Sequence, residues 1–318
     1  MNALAPLVII VLPVFLVVGA GYAAVRTKVF PDAGLDHLVR FATNIAVPVL
    51  LFRAMYTLDL GAALRLDHLV SFYGTATLVF FLTIFLSRRF WRRRPGEAVA
   101  VGFCALFSNS VLLGLPIMGR AYGEGSLESV FALVALNAPY CYLLGILTME
   151  MLRRDGASVG VAVARTARAM FQNALTLGIA AGVALNLSGI TLPEPLMAAV
   201  SLLSQAALPV ALFGLGGVLT RYSMRAEIGE AAMVSAVSLL LHPLLAWGYA
   251  AELSEMPVGF LQSAVVIAAM PTGINGYVFA SMYGRAVGTA ASVVILSTAL
   301  SVLTIAFWLS VLGAGGLS

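Results

Sequence analysis

Charge is what this chain has least of. Only 10% of its 318 residues are Asp, Glu, Lys or Arg, against roughly 25% in an average soluble domain. No polar stretch is long enough to form a soluble domain, so the length is read as one membrane domain, 1–318. Carboxylates are missing from the middle of every apolar run: the 14 acidic residues, among them Asp32, Asp59, Glu97, Glu150, Glu194 and Glu252, fall at or near predicted span ends, where charge costs little. That argues against an intramembrane protease or a carboxylate-driven ion pump. There is no nucleophile, base and orienter set, and His37, His68 and His242 show no metal-ligand spacing. Neither enzyme activity nor a metal or other cofactor is expected. Cysteine is nearly absent too, and Cys104 and Cys141 both lie in apolar runs, where they read as small buried hydrophobes.

What is present is hydrophobic: 61% of the residues, with a mean hydropathy of +1.00. Spans of about 17–25 residues fit a bilayer core, and the sequence divides into ten, at 5–25, 34–56, 68–87, 97–121, 127–150, 171–190, 195–219, 228–250, 257–282 and 287–312. The first run lacks a charged leader and is read as a helix that stays, not as a signal peptide. Loops are short, and the longest, 153–169, has room for a surface helix but no domain. Of the 18 Arg and Lys residues, all but Arg53, Arg65 and Arg120 fall in odd-numbered loops. Cytoplasmic loops carry the basic excess, so both termini are expected outside and Arg92 and Arg154 inside. The net charge of +4 is explained the same way, and no nucleic-acid partner is expected.

The stretch Asn44-Ile45-Ala46-Val47-Pro48-Val49-Leu50-Leu51-Phe52 matches Gln205-Ala206-Ala207-Leu208-Pro209-Val210-Ala211-Leu212-Phe213 at five of nine positions, at an offset of 161. The same offset carries Tyr122-Gly123 onto Tyr283-Gly284. A constant offset implies two five-helix repeats, 1–150 and 171–312, and an odd helix count inverts the second against the first.

Two apolar runs are broken. Ser108-Asn109-Ser110-Val111-Leu112-Leu113-Gly114-Leu115-Pro116 interrupts the fourth span and Met270-Pro271-Thr272-Gly273-Ile274-Asn275-Gly276 the ninth. Backbone freed inside a bilayer is tolerated only where it is buried in protein or lines a wet cavity. Matching breaks in two repeats point to a transporter's binding site. The interior polar residues are Asn44, Asn109, Ser110, Asn137, Thr272, Asn275 and His242, and each also reads as a helix–helix hydrogen bond of roughly 0.6–2 kcal/mol. Asn109 and Asn275 lie beside the breaks, where an amide can join freed backbone N–H groups in holding an anion. Pro48 and Pro209 read as kinks. His242 precedes Pro243 and is open to two readings, a proton carrier or a bond to a carbonyl that Pro243 frees.

These motifs resemble the auxin efflux carrier family, which includes the plant PIN-formed carriers and bacterial carriers described as malonate transporters. Ser-Asn-Ser-Val-Leu-Leu-Gly-Leu-Pro-Ile at 108–117 with Ala-Tyr-Gly-Glu at 121–124 is similar to the family's fourth-helix crossover, Met-Pro-Thr-Gly-Ile at 270–274 to its ninth, and Phe-Ala-Thr-Asn-Ile-Ala-Val-Pro at 41–48 to its second helix. The resemblance covers nearly the whole chain. It implies an all-α, sodium/proton antiporter-like fold of ten transmembrane helices in inverted repeats, with broken, crossing helices 4 and 9. Helices 1, 2, 6 and 7 would form a scaffold, helices 3–5 and 8–10 a transport bundle, and two chains a homodimer. It also implies that Asn109 contacts a substrate carboxylate and that Asn137 stands where the family often has a polar residue. With the breaks and interior polar residues read above, the expected substrate site is Asn109, Ser110, Gly114, Pro116, Asn137, Pro271, Thr272, Gly273, Asn275 and Asn44, with His242 as the candidate for proton coupling. The chain departs from the plant carriers in lacking their long loop between helices 5 and 6. In the third helix, Ser71-Phe72-Tyr73-Gly74-Thr75 replaces their paired acidic and lysine residues. The expectation is a secondary carrier of a small organic anion, such as malonate or an auxin-like carboxylate, in the plasma or inner membrane. A sodium-coupled symporter of bile-acid-transporter type and a passive channel or sensor are the alternatives.

Overall fold

An apolar run in lipid has to satisfy its backbone internally, which leaves the helix as the economical solution. The computed structural model describes residues 4–153, 160, 164, 168, 172–222 and 227–314, and among them it is helical, with no strand. Twelve helices matter here: α1 Leu4–Arg26, α2 Asp32–Thr57, α3 Leu66–Phe90, α4 Pro95–Leu106, α5 Leu115–Tyr122, α6 Leu127–Arg153, α7 Ala174–Ser188, α8 Glu194–Leu219, α9 Ile228–Leu253, α10 Val258–Ala268, α11 Ile274–Tyr283 and α12 Val287–Val311. Seven of them, α1, α2, α3, α6, α8, α9 and α12, are long and apolar enough to cross a membrane. The protein is thus a multi-pass membrane protein. The fourth and ninth predicted spans are each two helices, α4/α5 and α10/α11. Of the residues used to orient the chain, Met1, Arg154, Arg165, Arg225 and Ser318 lie outside the described set, as does most of the 153–169 loop.

The chain divides into two compact units. One comprises Pro13–Leu64 and Ala167–Arg221, the other Met1–Leu12, Arg65–Thr166 and Tyr222–Ser318. In the first, glycine lets backbones touch where packing, and not hydrophobicity, has to hold helices together in lipid. A Cβ on Gly182 of α7 would collide with the Phe52 carbonyl of α2, and one on Gly21 of α1 with the Phe213 carbonyl of α8. Both members of that contact are related by the offset of 161, so one contact is built twice. Gly178, one turn before Gly182, sits in the same way against the Pro48 carbonyl. Asn186 then closes the end of α2, its Nδ2 reaching the carbonyls of Met55, Tyr56 and Leu58 at 3.0, 2.8 and 2.8 Å. Gly21→Ala should therefore destabilise this unit by about 1–3 kcal/mol, the usual cost of overpacking. Gly19→Ala, two residues away with nothing within 4 Å of its Cβ position, should be neutral or stabilising. Unfolding midpoints in detergent for the two variants would separate them.

In the second unit the large side chains pack round α4. Phe103 stacks on Phe279 of α11 at 3.9 Å, with Phe107 and Tyr142 beside it, and Gly145 of α6 has no Cβ to strike Phe103. Proline accounts for three of the five π-turns among the described residues. A π-turn lies directly ahead of Val47-Pro48, Leu115-Pro116 and His242-Pro243, since the wider turn makes room for a ring that would otherwise meet the preceding carbonyls. Pro243 withholds an N–H from the Leu239 carbonyl, and the Trp308 indole fills that place at 2.9 Å. Pro13 does the same to Ile9, and the Arg120 guanidinium donates there, at 2.8 Å to the Ile10 carbonyl and 3.4 Å to that of Ile9.

One acidic residue at its expected place near a span end is not an exposed charge. Glu230 is near a predicted span end, yet it is fully buried. Arg93 donates to its Oε2 at 2.9 and 2.7 Å and to the Thr289 hydroxyl at 3.0 Å, with Glu227 at 3.3 Å. Burial alone would lower the Arg93 guanidinium, but Glu230 outweighs it and holds the group above its ordinary value. The pair ties the α3–α4 turn to α9 and α12.

Candidate substrate site at the helix crossover

The two breaks meet inside the second unit. The Asn109 N–H donates to the Pro271 carbonyl at 2.8 Å and the Gly273 N–H to the Phe107 carbonyl at 2.9 Å, which pairs Ser108 with Thr272 in a short antiparallel bridge. Backbone freed by each interruption is thereby partly satisfied by the other. Proline suits position 271 because the bridge uses its carbonyl and needs no N–H. Close approach is a matter of missing side chains. A Cβ on Gly114 would come within 2.6 Å of Ile267, one on Gly273 within 3.3 Å of Phe107, and one on Gly276 within 2.9 Å of Thr272.

Each break restarts a helix at the bridge, with the Ser110–Gly114 π-turn leading into α5 on one side and α11 on the other. The leading N–H groups of a helix have no intrahelical acceptor and carry its positive end. Here those of Val111, Leu112, Ile274 and Asn275 find no acceptor among the described residues. All four residues are only partly buried, whereas Ser108, Asn109, Ser110, Pro271, Thr272 and Gly273 are buried. The Asn109 side chain caps nothing, and the Ser108 hydroxyl, also buried, is without a partner among the described residues. This is a cluster of uncommitted neutral donors.

The other expected site residues divide by what they already hold. Asn137 donates to the Ser110 hydroxyl at 3.0 Å, and its carbonyl oxygen lies 3.5 Å from the Cys141 Sγ. Asn275 accepts from the Tyr142 hydroxyl at 3.1 Å. Thr272 is spent on structure, its hydroxyl on the Cys104 carbonyl at 2.7 Å and its N–H on the Ser297 hydroxyl at 3.2 Å. Pro116 sits half-buried in the first turn of α5. Asn44 belongs to the other unit, exposed in the π-turn of α2, so the structure does not bring it into the unit that holds the breaks. His242 is fully buried. The carbonyl freed by Pro243 goes to Trp308, and the His242 Nε2 lies 3.4 Å from the Phe72 carbonyl instead, while Nδ1 has no partner among the described residues. Tyr73, next to Phe72, bonds the Leu133 carbonyl and packs on Tyr140, one turn from Asn137. Sequence reasoning did not single out Ser108 as a ligand, although it flanks Asn109. Tyr142 carried no signal at all, being one aromatic in a long apolar helix.

Two broken helices whose breaks meet inside a multi-pass helical protein fit a membrane transporter. The family model described as "Membrane transport protein" matches residues 6–309, and the chain belongs to that family, the auxin efflux carriers whose crossover motifs it shares. It is 26% identical over 308 residues, 97% of this chain and 96% of the relative, to a protein of Rhizobium meliloti (strain 1021) named "Putative malonate transporter". It is 27% identical over 307 residues, 95% of this chain and 97% of the relative, to a protein named "Uncharacterized transporter" from Methanothermobacter thermautotrophicus.

Proposed function

We propose that this protein is a secondary carrier of a small organic anion, a mono- or dicarboxylate of malonate size, that binds at the crossover. The observation that carries the reading is the set of four uncommitted backbone N–H groups at Val111, Leu112, Ile274 and Asn275, with the Asn109 amide between the breaks. Such donors and the positive ends of α5 and α11 attract a carboxylate without a lysine or arginine. The name of the Rhizobium relative is consistent with a dicarboxylate. Alternating access would come from a rocking or elevator motion of the unit that holds the crossover. The division into two compact units, each made of matching helices from both halves of the chain, supports that reading, and the paired Gly21–Phe213 and Gly182–Phe52 contacts support inverted repeats of ten spans. The charge bias supports an orientation with both termini outside, and the family resemblance supports placement in the plasma or inner membrane and a homodimer.

Purified protein in proteoliposomes tests the function. Saturable malonate counterflow without sodium is expected. Strict sodium dependence would favour the bile-acid type of symport, and non-saturable flux a channel. Orientation is tested by cysteine labelling, with position 92 expected to react only from the cytoplasmic side and position 124 only from outside. If His242 carries the coupled proton, His242→Gln should abolish pH-gradient drive while binding stays within about tenfold; pH-driven uptake that survives the change would assign the ring to packing against Phe72.

A further inference from the structure

The unit formed by Pro13–Leu64 and Ala167–Arg221 has a cavity of about 540 Å³ where α1 and α8 end and α2 begins, lined by Arg26, Lys28, Arg221 and Asp32 with Val25 and Phe30 as apolar walls. All three helices are apolar enough to span a membrane, so the cavity lies at headgroup depth. Its charges are not equivalent. Arg221 is committed, donating to Asp32 Oδ1 at 2.9 Å, to Asp36 Oδ1 at 2.6 Å and to the Asp32 carbonyl at 3.0 Å. That leaves the carboxylate on the cavity wall neutralised. Arg26 and Lys28 have no ion pair among the described residues, so the cavity keeps two uncommitted cations.

The turn that presents them is fixed at some cost. Lys28 has φ +63, a conformation unfavourable for a residue with a Cβ. Hydrogen bonds from Thr27 to the Ala23 carbonyl, 2.8 Å from its N–H and 2.7 Å from its hydroxyl, and from the Phe30 N–H to the Ala24 carbonyl at 3.0 Å hold it there. The Phe30 ring is set edge-on against Phe213 at 5.6 Å. Between the two, Val29 is 82% exposed, an apolar side chain offered outward at the membrane surface. The N-cap of α2 is Pro31, which supplies no side-chain acceptor, and the N–H groups of Asp32 and Ala33 have no backbone acceptor among the described residues.

Two free cations, an uncapped helix start and an apolar lip form a receptor for a phosphate-bearing group. We infer that this cavity binds a phosphate ester, with the headgroup of an anionic phospholipid as its membrane source and a small soluble phosphate as the other. Binding here is independent of the transport reaction at the crossover.

The test uses purified full-length protein in detergent, titrated with dioctanoyl phosphatidylglycerol, dioctanoyl phosphatidylcholine or inorganic phosphate, with thermal unfolding as the readout. Wild type should be stabilised by phosphatidylglycerol and not by phosphatidylcholine, and Arg26→Gln/Lys28→Gln should weaken that response by about tenfold or more. Arg88→Gln/Arg89→Gln, which removes two exposed cations from α3, should leave it unchanged. Stabilisation of wild type by phosphate as strong as that by the lipid, and lost in the same double variant, would support the site with a soluble ligand. Equal loss in both double variants would reduce the effect to general surface charge and overturn the inference. So would the absence of any anion response in wild type. A double variant that is not monodisperse would be replaced by the single variants Arg26→Gln and Lys28→Gln, each expected to weaken the phosphatidylglycerol response, and an undiminished response in both would overturn the inference.

Discussion

Glu230→Ala is expected to be the most damaging single substitution in the chain, lowering stability by about 3–5 kcal/mol, the range for removing one partner of a buried ion pair. The cost arises less from the lost attraction than from what stays behind. Arg93 would keep its guanidinium, whose side chain is only 16% exposed, with Thr289 and the more distant, half-exposed Glu227 as its remaining partners. Removing both members should cost much less, because replacing a buried pair by apolar residues of similar volume is often neutral or better. The expected order of unfolding resistance in detergent is therefore wild type close to Arg93→Met/Glu230→Met, with Glu230→Ala well below both. If the single and double variants unfold together, the pair is not what ties the α3–α4 turn to α9 and α12.

Asn109→Ala should weaken binding of a verified substrate by about tenfold to more than a hundredfold, because a hydrogen bond to a charged group contributes roughly 1.5–3 kcal/mol. The fold should survive, since the Asn109 side chain holds nothing in place and the bridge to Pro271 uses its main chain. Asn275→Ala is expected to lose less: its carbonyl oxygen is already engaged by Tyr142, and part of the change would be structural. Asn44→Ala, in the other unit, should lose least. Calorimetry on the three variants gives this order or refutes it, and wild-type affinity in a well-folded Asn109→Ala protein would remove Asn109 from the site.

Much of this was legible in the residues. Pro271, Gly273, Gly114 and Pro116 announce broken helices because proline and glycine are costly in a helix interior, and the breaks stand where those residues put them. The offset of 161 pointed to paired elements, and Gly21 with Gly182 carries it into packing. The Gly178–Gly182 spacing was there to be read as a helix contact motif, but glycines are common in this sequence and spacing alone does not say which neighbour they meet. Glu230 was hidden for another reason. Its position near a span end says nothing about burial, and its partner Arg93 sits 137 residues away in a basic run that reads equally well as a cytoplasmic charge cluster. His242 shows the same limit, since only tertiary structure could reveal that Trp308 takes the carbonyl freed by Pro243. Freed backbone N–H groups were expected at the breaks, but that Val111 and Leu112 carry two of them could not be read from their apolar side chains.

Those backbone groups offer the most direct test of the crossover as the binding site. Hydrogen–deuterium exchange of purified protein, followed by mass spectrometry with and without saturating malonate or another substrate verified by counterflow, reads them locally. Peptides covering 108–118 and 270–280 are predicted to gain the largest protection, as the amides of Val111, Leu112, Ile274 and Asn275 exchange water for a carboxylate. Verified binding that leaves both peptides unchanged and protects a different part of the chain would contradict the account.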